Sequence, residues 1–151
     1  MDAVDRALLD ALRANARAGW AELGRRIGLS GPSVQERVRR LEERGVIAGY
    51  RTVVSPADVG LGVSALIGLI QGDGVESEYV ADQLREVSEV EDCWYVAGEE
   101  NFVVKVRARD VAALEVVVAK LRRLPGVSRT RTTVVLSTRW EGRDVPLPDE
   151  P

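Results

Sequence analysis

The feature that most constrains this chain is a four-residue turn at residues 28–31, which separates two short helical patterns. The pattern before the turn covers about residues 20–27. The pattern after the turn runs to about Arg44 and is followed by Gly45. Ser30 is a good N-cap for the later helix, and glycine is favoured just beyond a helix end. With an earlier helix predicted over residues 3–14, these elements predict a helix-turn-helix.

The rest of the chain alternates between strand and helix patterns. We predict strands over residues 61–70, 90–97, 102–108 and 127–138, and helices over residues 76–87 and 111–124. The order β-α-β-β-α-β is the ferredoxin-like arrangement of one sheet with two helices on one face. The predicted fold class is therefore α+β, with an N-terminal winged helix-turn-helix domain followed by a ferredoxin-like domain.

These patterns predict the domain boundaries. Residues 1–54 form the helix-turn-helix domain, and within it residues 47–54 form a short extended segment or wing. Residues 55–60 begin with a Ser-Pro turn and are predicted to be a hinge. Residues 61–138 form the ferredoxin-like domain, and the polar, proline-rich residues 139–151 form a loose C-terminal tail.

The composition limits the chemistry available to the chain. It contains 0 histidines and a single cysteine, Cys93. A disulfide within the chain and a cysteine-rich metal site are therefore excluded, and the commonest general base and zinc ligand is missing. Cys93 lies in an apolar stretch, which favours a buried thiol. We expect no catalytic residues, no metal site and no cofactor.

The charge is distributed unevenly along the chain. Residues 1–50 contain 9 basic and 7 acidic residues, whereas the remaining residues contain 12 basic and 17 acidic ones. A mildly basic N-terminal part on an acidic remainder fits a chain that meets nucleic acid with one end only. There is no long apolar run and no signal-peptide pattern, so we expect a cytoplasmic protein that does not enter a membrane.

The third predicted helix is the candidate for reading DNA. Helical spacing places Val34, Val38 and Leu41 on one buried stripe, and a recognition helix enters the major groove by its N-terminal half. The predicted base-contacting residues are Ser33, Gln35, Glu36 and Arg39, and the predicted phosphate-contacting residues are Ser30, Arg37 and Arg40. Two alternatives remain: the face is an ordinary solvated surface, or Arg37 is a structural link to Glu22 or Asp10.

A hairpin turn at residues 98–102, with the sequence Gly-Glu-Glu-Asn-Phe, is the local clue in the second half. Gly98 permits a close backbone approach, and the acidic pair Glu99 and Glu100 is suited to hold an ammonium group. Asn101 offers both a donor and an acceptor. The alternative is an ordinary polar turn.

The predicted sheet has one face that its own helices leave uncovered. The apolar residues available to that face are Val103, Val104, Val106, Val134, Val135 and Leu136. An apolar open face favours dimerisation.

Over almost its whole length the chain resembles the Lrp/AsnC, or feast/famine, transcription regulators. The resemblance rests on Val4-Asp5-Arg6, Glu22-Leu23, Gly28-Leu29-Ser30, residues 36–42, residues 45–50, Val96-Ala97-Gly98, Asn101-Phe102, residues 124–127 and Thr130-Arg131-Thr132. It implies a DNA-binding helix-turn-helix followed by a ligand-sensing domain, called RAM in this family. It also implies homodimers that often assemble into tetramers or octamers, and a free amino acid as effector.

In this family the effector lies between subunits, near the turn that corresponds to residues 98–102. The implied effector-binding residues are Tyr95, Ala97, Gly98, Glu99, Glu100, Asn101, Phe102, Thr132 and Val134. The chain departs from the family at two places, of which the first bears on a phosphate contact and the second leaves the effector's identity open. Gly19 and Trp20 replace a Ser or Thr and a small polar residue that are frequent in the family, and Asn101 replaces a frequent Asp.

We therefore predict a sequence-specific, DNA-binding transcription regulator whose assembly or DNA binding responds to a small molecule, an amino acid by resemblance. One alternative is an architectural DNA-binding protein that has no effector. The other is an enzyme like the tetrapyrrole decarboxylases, which share the two-part fold but are expected to use a histidine that this chain lacks.

Overall fold

The computed structural model describes residues 1–148, which divide into two compact units. The first unit contains residues 1–53 together with residues 140–148, and the second contains residues 54–139. The chain therefore leaves the first unit, forms the whole of the second, and returns to the first. No helix among residues 1–148 has the length and apolar character needed to cross a membrane.

Three helices form most of the first unit: α1 (Ala3–Ala14), α2 (Trp20–Ile27) and α3 (Gly31–Glu43). Their apolar stripes meet in one core, in which Leu8, Leu23 and Val34 are fully buried. Leucines and valines recur at helical spacing, so each helix can bury one stripe while its polar side chains stay in water. The predicted helix-turn-helix is confirmed.

A Schellman motif ends α3. The Gly45 N–H donates to the Glu42 carbonyl at 2.9 Å, and the Val46 N–H donates to the Leu41 carbonyl at 2.9 Å. Gly45 adopts φ +70°, a left-handed conformation in which glycine carries no Cβ penalty. The predicted role of Gly45 as a helix stop is confirmed.

The predicted wing at residues 47–54 is not a strand. These residues form no ladder, and the first unit contains no strand among its described residues with which they could pair. The Tyr50 hydroxyl instead donates to the Glu42 carboxylate at 2.8 Å, which ties the segment back to α3. Burial and the neighbouring Glu42 raise the pKa of Tyr50 to about 12.

The C-terminal segment, residues 140–148, is not the loose tail that its composition predicts. Arg13 of α1 donates from Nε to Asp144 at 3.1 Å and from Nη2 to the Val145 carbonyl at 2.7 Å. Arg6 donates to the Pro148 carbonyl, and Leu147 packs against the core of the first unit. One apolar side chain, two backbone carbonyls and one carboxylate dock the segment on the first unit.

The second unit consists of β1 (Val63–Gln71), α4 (Ser77–Arg85), β2 (Val90–Tyr95), β3 (Phe102–Ala108), α5 (Val111–Arg122) and β4 (Val127–Val135), preceded by a short 3₁₀ helix at Ala57–Val59. The four strands form one antiparallel sheet in the order β2-β3-β1-β4. This is the predicted ferredoxin-like connectivity. The order brings the turn between β2 and β3 to the end of the sheet where β1 finishes.

Strand alternation decides which side chains the helices cover. Ala65, Ile67 and Leu69 of β1 and the even-numbered residues 102–108 of β3 pack with α4 and α5 in one core. Val104 and Val106 are fully buried there, so the prediction that they belong to the open face is wrong. Val134 pairs with Ala65 and therefore also points to the helix side. Neighbouring residues of a strand point to opposite faces, so Val103 and Val104 cannot share one.

The open face is mixed rather than apolar. Its apolar members include Leu66, Ile70, Trp94, Val103 and Val135, as the strand register shows. Among them lies a charged cluster, in which Glu91 accepts hydrogen bonds from Lys105 and Arg107, both at 2.7 Å. Burial acts to raise the pKa of Glu91, but the hydrogen bonds from the two cations outweigh it and hold that pKa below its usual range.

Cys93 is exposed, so the prediction of a buried thiol is wrong. It lies on β2, the edge strand of the sheet, where an apolar sequence neighbourhood does not ensure a covering layer.

Candidate DNA-binding and effector sites

The turn between α2 and α3 is set by a close backbone contact at Gly24. The Leu29 N–H donates to the Gly24 carbonyl at 2.9 Å, and a Cβ built on Gly24 would lie only 2.3 Å from the Leu29 carbonyl oxygen. Gly28 follows α2 in the left-handed conformation, with φ +73°. Two glycines therefore fix the path by which the chain enters α3.

Ser30 caps α3 as predicted. Its Oγ accepts from the Ser33 N–H at 3.3 Å and lies 2.8 Å from the Ser33 Oγ. Ser30 and Ser33 are exposed in the first turn of α3, and Gln35 is exposed next to them. A helix N-terminus of this kind is suited to a phosphate or to a base edge.

Arg39 is held within its own helix by two carboxylates. It donates to Glu36 at 2.6 Å from Nη2 and at 3.0 Å from Nε, and it also contacts Glu43. The hydrogen bond from Arg39 lowers the pKa of Glu36, and the same bond raises the pKa of Arg39. All three side chains are more than half exposed, so water weakens these pairs and a DNA ligand can exchange with them.

Arg37 and Arg40 behave differently. The side chain of Arg40 is exposed and makes no hydrogen bond or ion pair within residues 1–148, although its charge contributes to the lowered pKa of Glu36. Arg37 donates from Nη1 to Asp2 at 2.8 Å and to Asp5 at 2.7 Å. The structural link from Arg37 to another helix exists, but its predicted partners, Glu22 and Asp10, are wrong. Those two residues pair within their own helices, with Arg26 and Arg13 respectively.

Asn101 anchors the hairpin turn at residues 98–102 to the neighbouring strand. Its N–H donates to the Leu69 carbonyl at 2.9 Å, and its side-chain Oδ1 accepts from the Gln71 N–H at 2.8 Å. Its carbonyl accepts from the Val96 N–H at 2.9 Å, which closes the turn. The Asn101 oxygen therefore has a structural task that an Asp carboxylate could also perform.

The acidic pair of the turn faces two arginines of β4. Glu99 lies 3.3 Å from Arg129 and 3.5 Å from Arg131, and Glu100 also contacts Arg131. Glu100 lies over Gly68 of β1, where an added Cβ would come within 2.5 Å of the Glu100 Cγ. The turn thus carries compensated charge rather than a free negative patch.

The other predicted effector residues are spread over the sheet. Phe102 is buried in the helix-side core, and Tyr95 meets its ring edge-on at a centroid distance of 5.2 Å. Thr132 and Val134 lie on the other edge strand, paired with β1. Ala97 and Gly98 are exposed in the turn. Within one subunit, these side chains do not converge on a single cavity with Glu99 and Glu100.

Gly98 differs from Gly24 and Gly68. A Cβ built on Gly98 would meet nothing within 4 Å, and its φ does not lie in the left-handed range. Neither the packing of this chain nor its backbone conformation therefore requires glycine there. The space above Gly98 is open to a molecule from outside the chain.

Two family models match the chain. An AsnC-type helix-turn-helix domain matches residues 1–42, and an Lrp/AsnC ligand binding domain matches residues 63–145. The chain belongs to the Lrp/AsnC family. Both halves of the resemblance seen in the sequence are thereby confirmed.

Several named relatives of this family are similar over most of their length. The chain is 41% identical to the HTH-type transcriptional regulator LrpA of Mycobacterium tuberculosis over 143 residues, 95% of both proteins. A feast or famine regulatory protein from M. tuberculosis, solved in complex with L-methionine, superposes with TM-score 0.91 at 40% identity, covering 97% of this chain and 99% of that one. Escherichia coli AsnC superposes with TM-score 0.86 at 31% identity, covering 97% and 99%.

Arg129 and Arg131, which pair with the acidic turn, were not among the residues predicted for the effector site. The alternation Arg-Thr-Arg at residues 129–131 carries the signal, because it places both arginines on one face of β4. The departure at Gly19 is accommodated: Gly19 occupies the N-cap of α2 without a side-chain bond, and α2 forms. Trp20 is 40% exposed at the start of that helix.

Proposed function

We propose that this chain is a homo-oligomeric transcription regulator that reads DNA with α3 and responds to an amino acid. The observation that carries this is the exposed polar face of α3, fixed by the Gly24 contact on a three-helix unit, in a chain whose second unit matches the family's ligand binding domain. The family descriptions and the relatives' names are those of regulators, which favours a regulator over an enzyme.

On DNA, Ser33, Gln35, Glu36 and Arg39 would face base edges, and Ser30 and Arg40 would contact phosphates. Arg40 is the strongest candidate because no carboxylate holds it. Arg39 has to leave Glu36 and Glu43 before it can bind guanine, and the exposure of these pairs makes that exchange inexpensive. A dimer would present two such helices to half-sites about one DNA turn apart.

For the effector we propose the surroundings of Gly98. An amino acid carries an ammonium and a carboxylate, and Glu99 with Arg129 offers a partner for each. The open space over Gly98 would admit the ligand. One relative was solved with L-methionine, which supports an amino acid as the class of ligand. Binding would regulate only if the ligand has different affinities for two assembly states.

The mixed open face of the sheet is the proposed subunit contact, because Leu66 and Trp94 expose apolar surface there. A regulator that acts on chromosomal DNA would work in the cytoplasm. The rival architectural role would need neither an effector nor a defined sequence.

Footprinting on DNA fragments selected by the protein from a random duplex pool tests the DNA-reading part. Discrete protected sites are expected, and uniform coating would favour the architectural role. A thermal-shift screen against the twenty amino acids tests the effector part, because a ligand of the folded state raises its melting temperature. We expect Gly98→Trp to abolish that shift while DNA binding stays intact. An unchanged dose response would place the ligand elsewhere.

A further inference from the structure

Arg37 differs from its neighbours on α3 because its guanidinium pairs with carboxylates of another helix. Its side chain is 23% exposed, whereas that of Arg39 is 55% exposed. One nitrogen, Nη1, donates both to Asp2 Oδ2 at 2.8 Å and to Asp5 Oδ1 at 2.7 Å. The Asp5 carboxylate is 13% exposed, so this contact is shielded from water.

The same two carboxylates form the capping box of α1. The Asp5 N–H donates to Asp2 Oδ1 at 2.7 Å, and the Asp2 N–H donates to Asp5 Oδ2 at 3.2 Å. Each carboxylate therefore uses one oxygen for the cap and the other for Arg37. Four hydrogen bonds link the first turn of α1 to the middle of α3 in one closed network.

This network also opposes a phosphate at Arg37. A phosphate there would have to displace two carboxylates and would then lie beside both of them, where like charges repel. The pKa of Arg37 is raised by its bonds to Asp2 and Asp5, which agrees with a cation whose partners lie within the chain.

We propose that Arg37, Asp2 and Asp5 form a positioning lock that fixes α3 on α1, and that Arg37 itself does not bind DNA. The inference rests on the proposed reading of DNA by α3. Neutralising Asp5 removes a negative charge and by simple electrostatics should strengthen DNA binding, yet the lock requires that it weaken binding.

The experiment uses the full chain and a duplex that the wild-type protein selects from a random pool. Dissociation constants are measured by fluorescence anisotropy over a range of KCl concentrations. Asp5→Asn and Asp2→Asn keep an oxygen for the cap but lose the charge that holds Arg37. Asp10→Asn is the matched control, because it makes the same charge change on α1 at an exposed position outside the lock.

We expect Asp5→Asn and Arg37→Met each to weaken binding on the order of tenfold, the loss typical of one misplaced base contact. Asp2→Asn should weaken it less, because Asp2 is more exposed than Asp5. The double variant Asp5→Asn/Arg37→Met should be no weaker than the worse single variant. Asp10→Asn should leave binding unchanged or slightly stronger, and all variants should keep the wild-type salt slope.

Two results would overturn the lock. One is tighter binding by Asp5→Asn, and the other is a salt slope lowered by about 0.9 in Arg37→Met, as expected for a lost phosphate contact. If the wild-type protein selects no sequence, the proposed function fails instead. The lock is then judged by thermal unfolding, in which the double variant should melt no lower than the worse single variant, and additive losses would refute it.

Discussion

Replacing Gly24 by alanine tests how the recognition helix is held in place. Gly24 lies inside α2, where alanine is favoured over glycine by about 1 kcal/mol. Helix propensity alone therefore predicts that Gly24→Ala stabilises the protein. The structure predicts the opposite, because the new Cβ would lie 2.3 Å from the Leu29 carbonyl oxygen.

The size of the effect follows from that distance. Real Cβ contacts are essentially never under 3.0 Å, so the turn has to retreat by at least 0.7 Å. The displaced atom is backbone, and the Leu29 N–H bond to the Gly24 carbonyl is strained with it. Overpacking of this kind costs about 1–3 kcal/mol, and subtracting the propensity gain of about 1 kcal/mol leaves a net loss of up to about 2 kcal/mol.

Thermal unfolding of the full chain, followed by hydrogen exchange of α2 and α3, is the suitable assay. For a unit of this size a loss of 1 kcal/mol lowers the melting temperature by about 4–8 °C. Gly31→Ala is the matched control, because its Cβ would meet nothing closer than 3.6 Å. It should be neutral or stabilising. If Gly24→Ala is more stable than the wild type, the Gly24 contact does not hold the turn.

Three further predictions concern other parts of the chain. Arg40→Ala should weaken DNA binding several-fold and lower the salt slope by about 0.9, as measured by anisotropy. Arg85→Ala, at an exposed side chain of α4, should change neither quantity. Equal effects of the two substitutions would contradict a phosphate contact of Arg40. The pKa of Glu91 is lowered from 4.5 in the folded state, so its stabilisation is present above about that pH and is lost as the pH falls through the lowered value. Urea unfolding of Glu91→Gln between pH 6 and pH 3 should therefore show a weaker pH dependence than the wild type, and identical curves would contradict this. Leu147→Ala should cost about 1 kcal/mol of first-unit stability in thermal unfolding, whereas Leu136→Ala, at a side chain 97% exposed, should cost nothing; a docked tail is ruled out if both variants melt like the wild type.

Local sequence patterns predicted the helices and strands well because helix caps, helix stops and apolar periodicity each involve residues close together in the sequence. Helical spacing of leucines, the Ser30 cap and the Gly45 stop are all contained within a few residues, and their helices begin and end where the sequence indicated. The β-α-β-β-α-β order was likewise predicted from the spacing of apolar residues in strands and helices. The effector and DNA-contacting residues named from the sequence stay proposals.

Other features required the chain to be folded. The partners of Arg37 lie 32 and 35 residues away, and no spacing rule points from α3 to the first turn of α1. The same holds for Arg131 against Glu100 and for the return of residues 140–148 to α1.

The helices, the strands, their order and the family resemblance were therefore readable from local patterns. The polar outer face of α3 was readable in the same way. The pairing of Arg39 with Glu36 and Glu43 follows from helical spacing, whereas the pairing of Arg37 requires α1 and α3 to be folded together. Arg37 is occupied by Asp2 and Asp5, and Arg39 is shared between two carboxylates of its own helix, whereas Arg40 has no such partner among residues 1–148. The physical reason is that a charge acts through the groups within a few ångströms of it, and folding chooses those groups.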